Sequence, residues 1–206
     1  MVNSKLIFRY ATMGSGKSTE VLQVHYNYEK GNVKGLLFIP EKDTSSNGEI
    51  YSRLGISKKA NVLKNDDNIF ELVKERVDSG EKIEYIIIDE VNLIENLNQI
   101  EQLGDIVDFL NITVFAYGLM SDFKTQLFPS VKRLIEIADK VTSIGMKSMC
   151  HCGKIAVHNA RIINGHVADT GDVFIVDNKN RNNVESNVIY VPLCRKHFKL
   201  KQWKTN

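Results

Sequence analysis

The sequence lacks the features that mark membrane, disulfide-rich and nucleic-acid-binding proteins. Its 206 residues include three cysteines and carry a formal net charge of only +2. No stretch approaches the roughly 20 apolar residues that a membrane span needs, and so small a charge gives no argument for nucleic acid as a partner. Internal repeats and low-complexity tracts are also missing. We expect one large domain, or a domain with a small appendage, and no membrane association.

The location of the protein is predicted from its first residues and its cysteines. Lys5 and Arg9 interrupt the only apolar run near the N-terminus, which is not the pattern of a signal peptide. A few clustered cysteines are typical of a reducing compartment, where they more often bind metal than form disulfides. The expected location is therefore the cytoplasm.

The first two-thirds of the chain alternate strand-like and helix-like segments. Strands are predicted at residues 5–10, 34–40, 85–89, 112–117 and 141–144, and helices at 18–30, 69–77, 97–107 and 131–138. Such alternation predicts an α/β fold with a parallel sheet. All three cysteines and several turn residues follow residue 146, so we predict a nucleotide-binding domain over 1–146 and a small β-rich, metal-braced module over 147–206.

Residues 11–18 (ATMGSGKS) have the spacing of a phosphate-binding Walker A loop between a strand and a helix. Backbone N–H groups of such a loop form a nest for phosphate oxygens, which Gly14 and Gly16 allow to approach closely. Lys17 would reach the β- and γ-phosphates and Ser18 would bind Mg²⁺. Ala11 replaces the usual first glycine, which the loop accommodates if that residue keeps a negative φ. The alternative is an ordinary glycine-rich turn.

Two carboxylates, Asp89 and Glu90, end the most apolar predicted strand. Ligands of an open parallel sheet bind at the carboxyl ends of its strands, which would bring Asp89 beside the phosphate loop. Asp89 would then orient Mg²⁺ through water, and Glu90 would be a general base that takes a proton from an attacking hydroxyl or water. The alternative is a pair of solvated acids in a turn.

Two short clusters supply four candidate metal ligands, namely Cys150, Cys152, Cys194 and His197. A Cys₃His set suits tetrahedral structural zinc. The second pair has the usual two-residue gap, whereas the first pair has a gap of one, so that His151 or His158 could replace one ligand. The alternative is three unrelated buried cysteines.

These features occur in the order found in zinc-containing cytosolic-type thymidine kinases, which the chain resembles from about residue 5 to 203. The shared motifs are TMGSGKST (12–19), SRLG (52–55), DEVNL (89–93), YGLMSDFKTQLF (117–128), ADK (138–140), CHCG (150–153) and YVPLCRKHF (190–198). The CHCG and CRKH forms resemble the bacterial branch, which also tolerates a small residue at the first Walker glycine.

The resemblance implies a P-loop (RecA-like) parallel sheet flanked by helices, with a small C-terminal zinc-ribbon or lasso module. The implied reaction transfers the γ-phosphate of ATP to the 5′-hydroxyl of thymidine, with deoxyuridine as a further candidate acceptor. Mg²⁺ and structural Zn²⁺ are the implied cofactors. A homotetramer or homodimer and feedback inhibition by thymidine triphosphate are also implied.

The resemblance assigns roles to individual residues. Those implied to bind ATP phosphate are Met13, Gly14, Ser15, Gly16, Lys17, Ser18, Thr19 and Arg53. Ser18 and Asp89 are implied to hold Mg²⁺, with Glu90 as the catalytic base. The nucleoside-binding set is Met13, Leu119, Phe123, Phe128 and Tyr190, and the zinc set is Cys150, Cys152, Cys194 and His197. For the two phenylalanines, core packing is the alternative. Arg161 is a weaker candidate for neutralising phosphate, and a surface salt bridge is the alternative for both arginines.

Two departures from the family pattern keep other functions open. Asn92 and Leu93 stand where the family usually has Gln-Phe, and residues 171–190 lack the Gly-Gly step whose backbone grips the pyrimidine. One alternative is a P-loop ATPase whose zinc module contacts nucleic acid. Another is a nucleotide-binding regulatory protein with an altered base site.

Overall fold

A computed structural model describes residues 4–43, 47–173 and 188–204. Its strands are β1 (Leu6–Ala11), β2 (Gly35–Pro40), β3 (Glu49–Tyr51), β4 (Ser57–Lys59), β5 (Asn61–Leu63), β6 (Tyr85–Ile88), β7 (Thr113–Leu119), β8 (Lys140–Ser143), β9 (His158–Ile163), β10 (His166–Val167) and β11 (Val188–Leu193). Its helices are α1 (Lys17–Lys30), α2 (Ile69–Asp78), α3 (Leu97–Leu110), α4 (Pro129–Ile137) and α5 (Arg195–Lys199).

Six strands form a parallel sheet in the order β5-β2-β6-β7-β1-β8. The predicted α/β class with a parallel sheet is therefore confirmed. Since parallel strands present their carboxyl ends at one edge, the segments that follow β1, β6 and β7 all emerge on the same side of the sheet. That edge is where the phosphate loop and the two carboxylates were expected to meet.

Helices cover both faces of this sheet. On one face, Ile86 and Ile88 belong to a core cluster that includes buried residues of α2, α3 and α4. On the other face, Tyr85 and Ile87 share a cluster with Val21 of α1. All four residues of β6 are buried as a result, which explains why that strand has a continuous apolar run rather than an alternating one.

The segment between β2 and α2 forms structure that the sequence did not predict. The short strands β3 and β4 pair as an antiparallel hairpin, and β5 joins the edge of the main sheet. Ile50 is almost fully buried and packs in the same core cluster as α1, whereas all three residues of β4 are exposed. Strands of three residues are too short to give a readable hydrophobic period.

The C-terminal part of the described chain contains a separate three-stranded antiparallel sheet in the order β10-β9-β11. Its small core combines Cys150, Cys194 and Leu193 with residues of β9. Residues 177–187, which are rich in Asn, Lys and Arg, lie outside the described residues, and the domain boundary near residue 146 stays a prediction. Within the described residues, none of the helices combines the length and apolar character needed to cross a membrane.

Candidate active site

The loop that joins β1 to α1 has the shape of a phosphate nest. Gly14 and Gly16 have φ values of 70° and 86°, which residues with a side chain rarely adopt. The hydroxyl of Ser15 donates to the carbonyl oxygen of Thr12 over 2.7 Å, which stabilises the turn formed by residues 12–15. Ala11, the residue that departs from the usual glycine, ends the extended strand β1, so its methyl group requires no unusual backbone conformation.

The phosphate loop and the acidic end of β6 lie in direct contact. Ser18 Oγ donates to Asp89 Oδ2 over 2.8 Å, although the two residues are 71 positions apart. Lys17 Nζ lies 3.3 Å from Glu90 Oε1. The phosphate loop and the Asp-Glu pair, which were predicted to lie together, therefore form one group of two carboxylates, one lysine and one hydroxyl.

Asp89 is almost completely buried, with 3 % of its surface exposed. Burial, reinforced by the neighbouring Glu90 carboxylate, raises the pKa of Asp89 to about 7, while Lys17 and the hydrogen bond from Ser18 act in the opposite direction. A carboxylate beside a hydroxyl is the oxygen donor set that Mg²⁺ prefers. The residues present therefore fit a magnesium ion, which would also restore the charged form of Asp89.

Glu90 has an unusual backbone conformation, with φ 52° and ψ 40°. A non-glycine residue in this left-handed region costs free energy, and such residues concentrate at functional sites. The conformation lets the Glu90 N–H donate to Asp89 Oδ1 over 3.0 Å while its carboxylate faces Lys17. One turn of backbone thus sets the positions of both acids.

A cavity of about 370 Å³ opens beside the phosphate loop. It is lined by Met13, Gly14, Arg53, Lys147, Ser148, Met149, Tyr190 and Pro192. Three residues that the resemblance assigned to different ligands, namely Met13, Arg53 and Tyr190, therefore share one space. The β3–β4 hairpin brings Arg53 there, and Thr19 at the start of α1 shares a 2.6 Å hydrogen bond with Ser52 of that hairpin.

Arg161 is not the surface salt-bridge residue that was offered as its alternative role, because its side chain is completely buried. Its guanidinium carbon lies 3.6 Å from the centroid of the Phe123 ring. Its Nε donates to the hydroxyl of Tyr190 over 3.0 Å, and Nη2 donates to the carbonyl oxygens of Asp172 and Val173. Arg161 therefore joins two predicted nucleoside-binding residues and the start of the 171–190 segment.

The other aromatic and apolar candidates lie in or against the main core. Phe128 is 6 % exposed and belongs to the cluster beneath α3 and α4, and Leu119 packs against the same cluster. Core packing thus describes the position of Phe128, and its contact with a base stays a prediction. The structure describes the altered 171–190 segment only at residues 171–173 and 188–190. The part that replaces the family's Gly-Gly step therefore lies largely outside the described residues.

Asn92 has a structural role that sequence reasoning missed. Its side chain is 2 % exposed, and Oδ1 accepts a 2.8 Å hydrogen bond from the backbone N–H of Leu119 at the end of β7. A Cβ on Gly118 would lie 2.6 Å from the same oxygen. Gly118 was the feature of the sequence that could have indicated this contact, because a glycine within a strand permits another group to approach its backbone closely.

The four predicted metal ligands converge, with all their ligand atoms within 4.8 Å of one another. The Cys152 and Cys194 sulfurs are 3.8 Å apart, and His197 Nδ1 lies 3.4 Å and 3.5 Å from the Cys150 and Cys194 sulfurs. A tetrahedral zinc site has edges of about 3.8 Å between sulfurs and about 3.6 Å between sulfur and nitrogen. The cluster could hold a structural metal and fits zinc.

The two histidines considered as alternative ligands, His151 and His158, occupy different positions. The ring of His151 stacks on His197 at 4.3 Å between centroids, and its Nε2 lies 3.2 Å from the carbonyl oxygen of Gln202. His158 packs on Phe198 at 4.8 Å. Neither belongs to the ligand cluster of the described residues, so the Cys₃His set first predicted is the one that converges.

Comparison with known proteins gives consistent matches over nearly the whole chain. The family model for thymidine kinase matches residues 4–198. A thymidine kinase of Streptomyces avermitilis is 36% identical over 195 residues, covering 95% of this chain and 88% of the relative. A thymidine kinase of Francisella tularensis is 38% identical over 197 residues, covering 95% and 97%. One of Mannheimia succiniciproducens is 38% identical over 202 residues, covering 98% of both chains.

Proposed function

This chain belongs to the thymidine kinase family, and we propose that it transfers the γ-phosphate of ATP to the 5′-hydroxyl of thymidine. One observation carries the proposal: Lys17 and Ser18 of a phosphate nest contact Glu90 and Asp89 at the carboxyl edge of the sheet. Such an arrangement suits phosphoryl transfer, where catalysis consists mainly of positioning and charge stabilisation.

The phosphate end of the reaction uses the nest and its lysine. Backbone N–H groups of the loop and Lys17 bind the β- and γ-phosphates, and Ser18 and Asp89 are the residues that would hold Mg²⁺. When bound, Mg²⁺ neutralises charge on the phosphate oxygens. Arg53 lines the cavity beside the phosphate loop, and it adds a second positive charge near the transferred phosphoryl group.

Glu90 acts as the general base. As the 5′-oxygen forms its bond to the γ-phosphorus, the bond from that phosphorus to the ADP oxygen breaks, and the hydroxyl proton passes to a Glu90 carboxylate oxygen. This carboxylate lies 3.3 Å from Lys17 Nζ. A bound triphosphate competes for Lys17, which frees the Glu90 carboxylate to face the acceptor hydroxyl.

Nucleoside recognition is proposed at the cavity between Met13 and Tyr190. Phe123 is only 3 % exposed, and the guanidinium of Arg161 covers one face of its ring, so its proposed contact with the base comes from the family resemblance. Arg161 also binds the hydroxyl of Tyr190, which connects Phe123 to the cavity wall. Aromatic rings stack well on a flat base. Leu119 and Phe128 complete the set carried over from the family, and deoxyuridine is a second acceptor to be tested.

Several further properties are proposed from the family and from the metal cluster. The Cys₃His cluster holds structural Zn²⁺, and residues 147–206 form a zinc-binding lasso domain beside a kinase domain over 1–146. The use of its three cysteines in a single metal cluster suits the cytoplasm. A homotetramer or homodimer, with feedback inhibition by thymidine triphosphate, is expected as in the family.

A panel of nucleosides tests the reaction. The protein is incubated with ATP, Mg²⁺ and each nucleoside, and monophosphate formation is measured by chromatography. We expect thymidine monophosphate as the main product. An ATP hydrolysis rate that is unchanged by thymidine but increased by DNA would instead support an ATPase. Nucleotide binding without affinity for any nucleoside would support a regulatory protein.

Glu90→Gln tests the base. Loss of a general base lowers kcat by roughly 10²- to 10⁴-fold, whereas the amide keeps the shape of the side chain, so the Kd for Mg·ADP should stay within about threefold. Glu75→Gln on the exposed side of α2 is the matched control and should keep full activity. Near-normal turnover of Glu90→Gln would remove Glu90 from this role.

A further inference from the structure

Met13, in the middle of the phosphate loop, is held at both of its backbone polar groups by residues from the C-terminal part of the chain. Its N–H donates to Asn159 Oδ1 over 2.8 Å, and its carbonyl oxygen accepts from Ser148 Oγ over 2.7 Å. We name this pair of hydrogen bonds the Met13 clasp. Asn159 is 4 % exposed and Ser148 is 7 % exposed, whereas Met13 is half-buried, so both hydrogen bonds are partly buried.

The clasp fixes the entrance to the phosphate nest. Hydrogen bonds at the N–H and the C=O of one residue hold the two planar peptide groups on either side of it. The chain continues from Met13 into Gly14, whose φ of 70° begins the turn that presents N–H groups to phosphate. The direction of those N–H groups therefore depends on how Met13 is held.

Each clasp residue also lies next to one pair of metal ligands. Ser148 is two residues before Cys150, in a hairpin closed by hydrogen bonds from Ala156 N to Ser148 O and from Cys150 N to Lys154 O. Asn159 in β9 pairs with Pro192 in β11, two residues before Cys194. A metal that joins the two ligand pairs would fix Ser148 and Asn159 relative to each other.

We propose that Ser148 and Asn159 are positioning residues that preset the phosphate nest for nucleotide, through the Met13 clasp. They connect the metal-binding module to the phosphate loop, so nucleotide affinity depends on the module. A preorganised loop loses less conformational freedom when ligand binds, which increases affinity without any new contact to the ligand. This inference rests on the proposed function, because it takes nucleotide as the ligand of the nest.

The test measures Mg·ADP binding by calorimetry on the full, metal-loaded chain. Ser148→Ala and Asn159→Ala should each raise the Kd by roughly threefold to tenfold, the effect of losing one net hydrogen bond. The double variant should raise the Kd by less than the product of the two, because both bonds hold one residue. Ser148→Thr keeps the hydroxyl and should restore most of the affinity that Ser148→Ala loses.

The matched control is Ser79→Ala, which removes another serine-to-carbonyl bond of 2.7 Å. That bond lies at the end of α2, away from the nest, so its loss should leave the Kd unchanged.

A purely structural role for the clasp predicts lower melting temperatures in Ser148→Ala and Asn159→Ala with an unchanged Kd for Mg·ADP. That result would overturn the inference and leave the proposed function intact. Wild-type protein that binds no Mg·ADP would overturn both. A Kd that rises in both single variants and recovers in Ser148→Thr supports the clasp, whatever the outcome for nucleosides.

Discussion

Replacement of Asp89 by asparagine should stabilise the metal-free protein even though it removes a proposed magnesium ligand. Asp89 is buried, and its charged form is disfavoured by that burial and by the neighbouring Glu90 carboxylate. Asparagine has almost the same shape and no charge. Its Oδ1 can still accept from the Glu90 N–H, and its Nδ2 can donate to the Ser18 hydroxyl, which acts as either donor or acceptor.

The expected gain follows from the difference in pKa between the native and unfolded chain. The pKa of Asp89 rises from 3.8 to about 7 on folding, and a difference of one in pKa corresponds to about 1.4 kcal/mol, which sets an upper limit of about 4 kcal/mol. Because the native state holds this proton more tightly than the unfolded chain, wild-type stability falls as pH rises from about 4 to about 7. Asparagine does not titrate, so the advantage of the variant is small near pH 4 and largest above pH 7.

Urea unfolding, followed by circular dichroism without added Mg²⁺ or chelator, measures this difference. Between pH 5.5 and 7.5 the free energy of unfolding of Asp89→Asn should gain up to about 2 kcal/mol relative to wild type. Asp108→Asn on the exposed side of α3 controls for the loss of one negative charge. An advantage that stays constant from pH 5.5 to 8.5 would show that folding does not favour the protonated carboxyl, and would refute the reasoning.

The remaining predictions concern the metal cluster and the end of β7. Cys194→Ser should lower the zinc content measured by elemental analysis and reduce the melting temperature, because the cluster loses a thiolate ligand; full zinc retention would contradict the assigned set. Gly118→Ala should cost about 1–3 kcal/mol in urea unfolding, since its Cβ would lie 2.6 Å from Asn92 Oδ1. Gly104→Ala within α3 is the control, because a Cβ there would lie 4.0 Å from Ile137 Cδ1 of α4, an ordinary contact, and it should gain about 0.5–1 kcal/mol; equal effects would refute the contact.

The main sheet was predictable from sequence because its strands and helices have strong, regular patterns. The helix predicted at 18–30 became α1, Lys17–Lys30, and the apolar run before Asp89 became β6. The hairpin that carries Arg53 was not predictable. Its strands have three residues each, and their burial is set by one anchor, Ile50, packed against the rest of the chain. A lone buried residue has no period for a sequence pattern to detect.

The site was predictable where its residues are adjacent in sequence or have fixed spacing. The phosphate loop, the Asp-Glu pair and the metal ligands all belong to such short motifs. The roles of Asn92, Arg161 and Asn159 were not predictable in this way, since each acts through a contact with a residue far away in the chain. Isolated polar residues of this kind look the same whether they are exposed or buried, and tertiary packing alone decides which they are.

The same turn after β6 contains two energetically unfavourable features. Asp89 is buried in a form that resists ionisation, and Glu90 has a left-handed backbone that costs of order 1–3 kcal/mol for a residue with a side chain. Glycine at position 90 would relieve the backbone but would remove the proposed base. A cation bound by Asp89 and Ser18 would offset the first cost by stabilising the carboxylate. This turn therefore keeps two unfavourable features, of which a bound cation would offset the first, as expected of a site selected for catalysis rather than for stability.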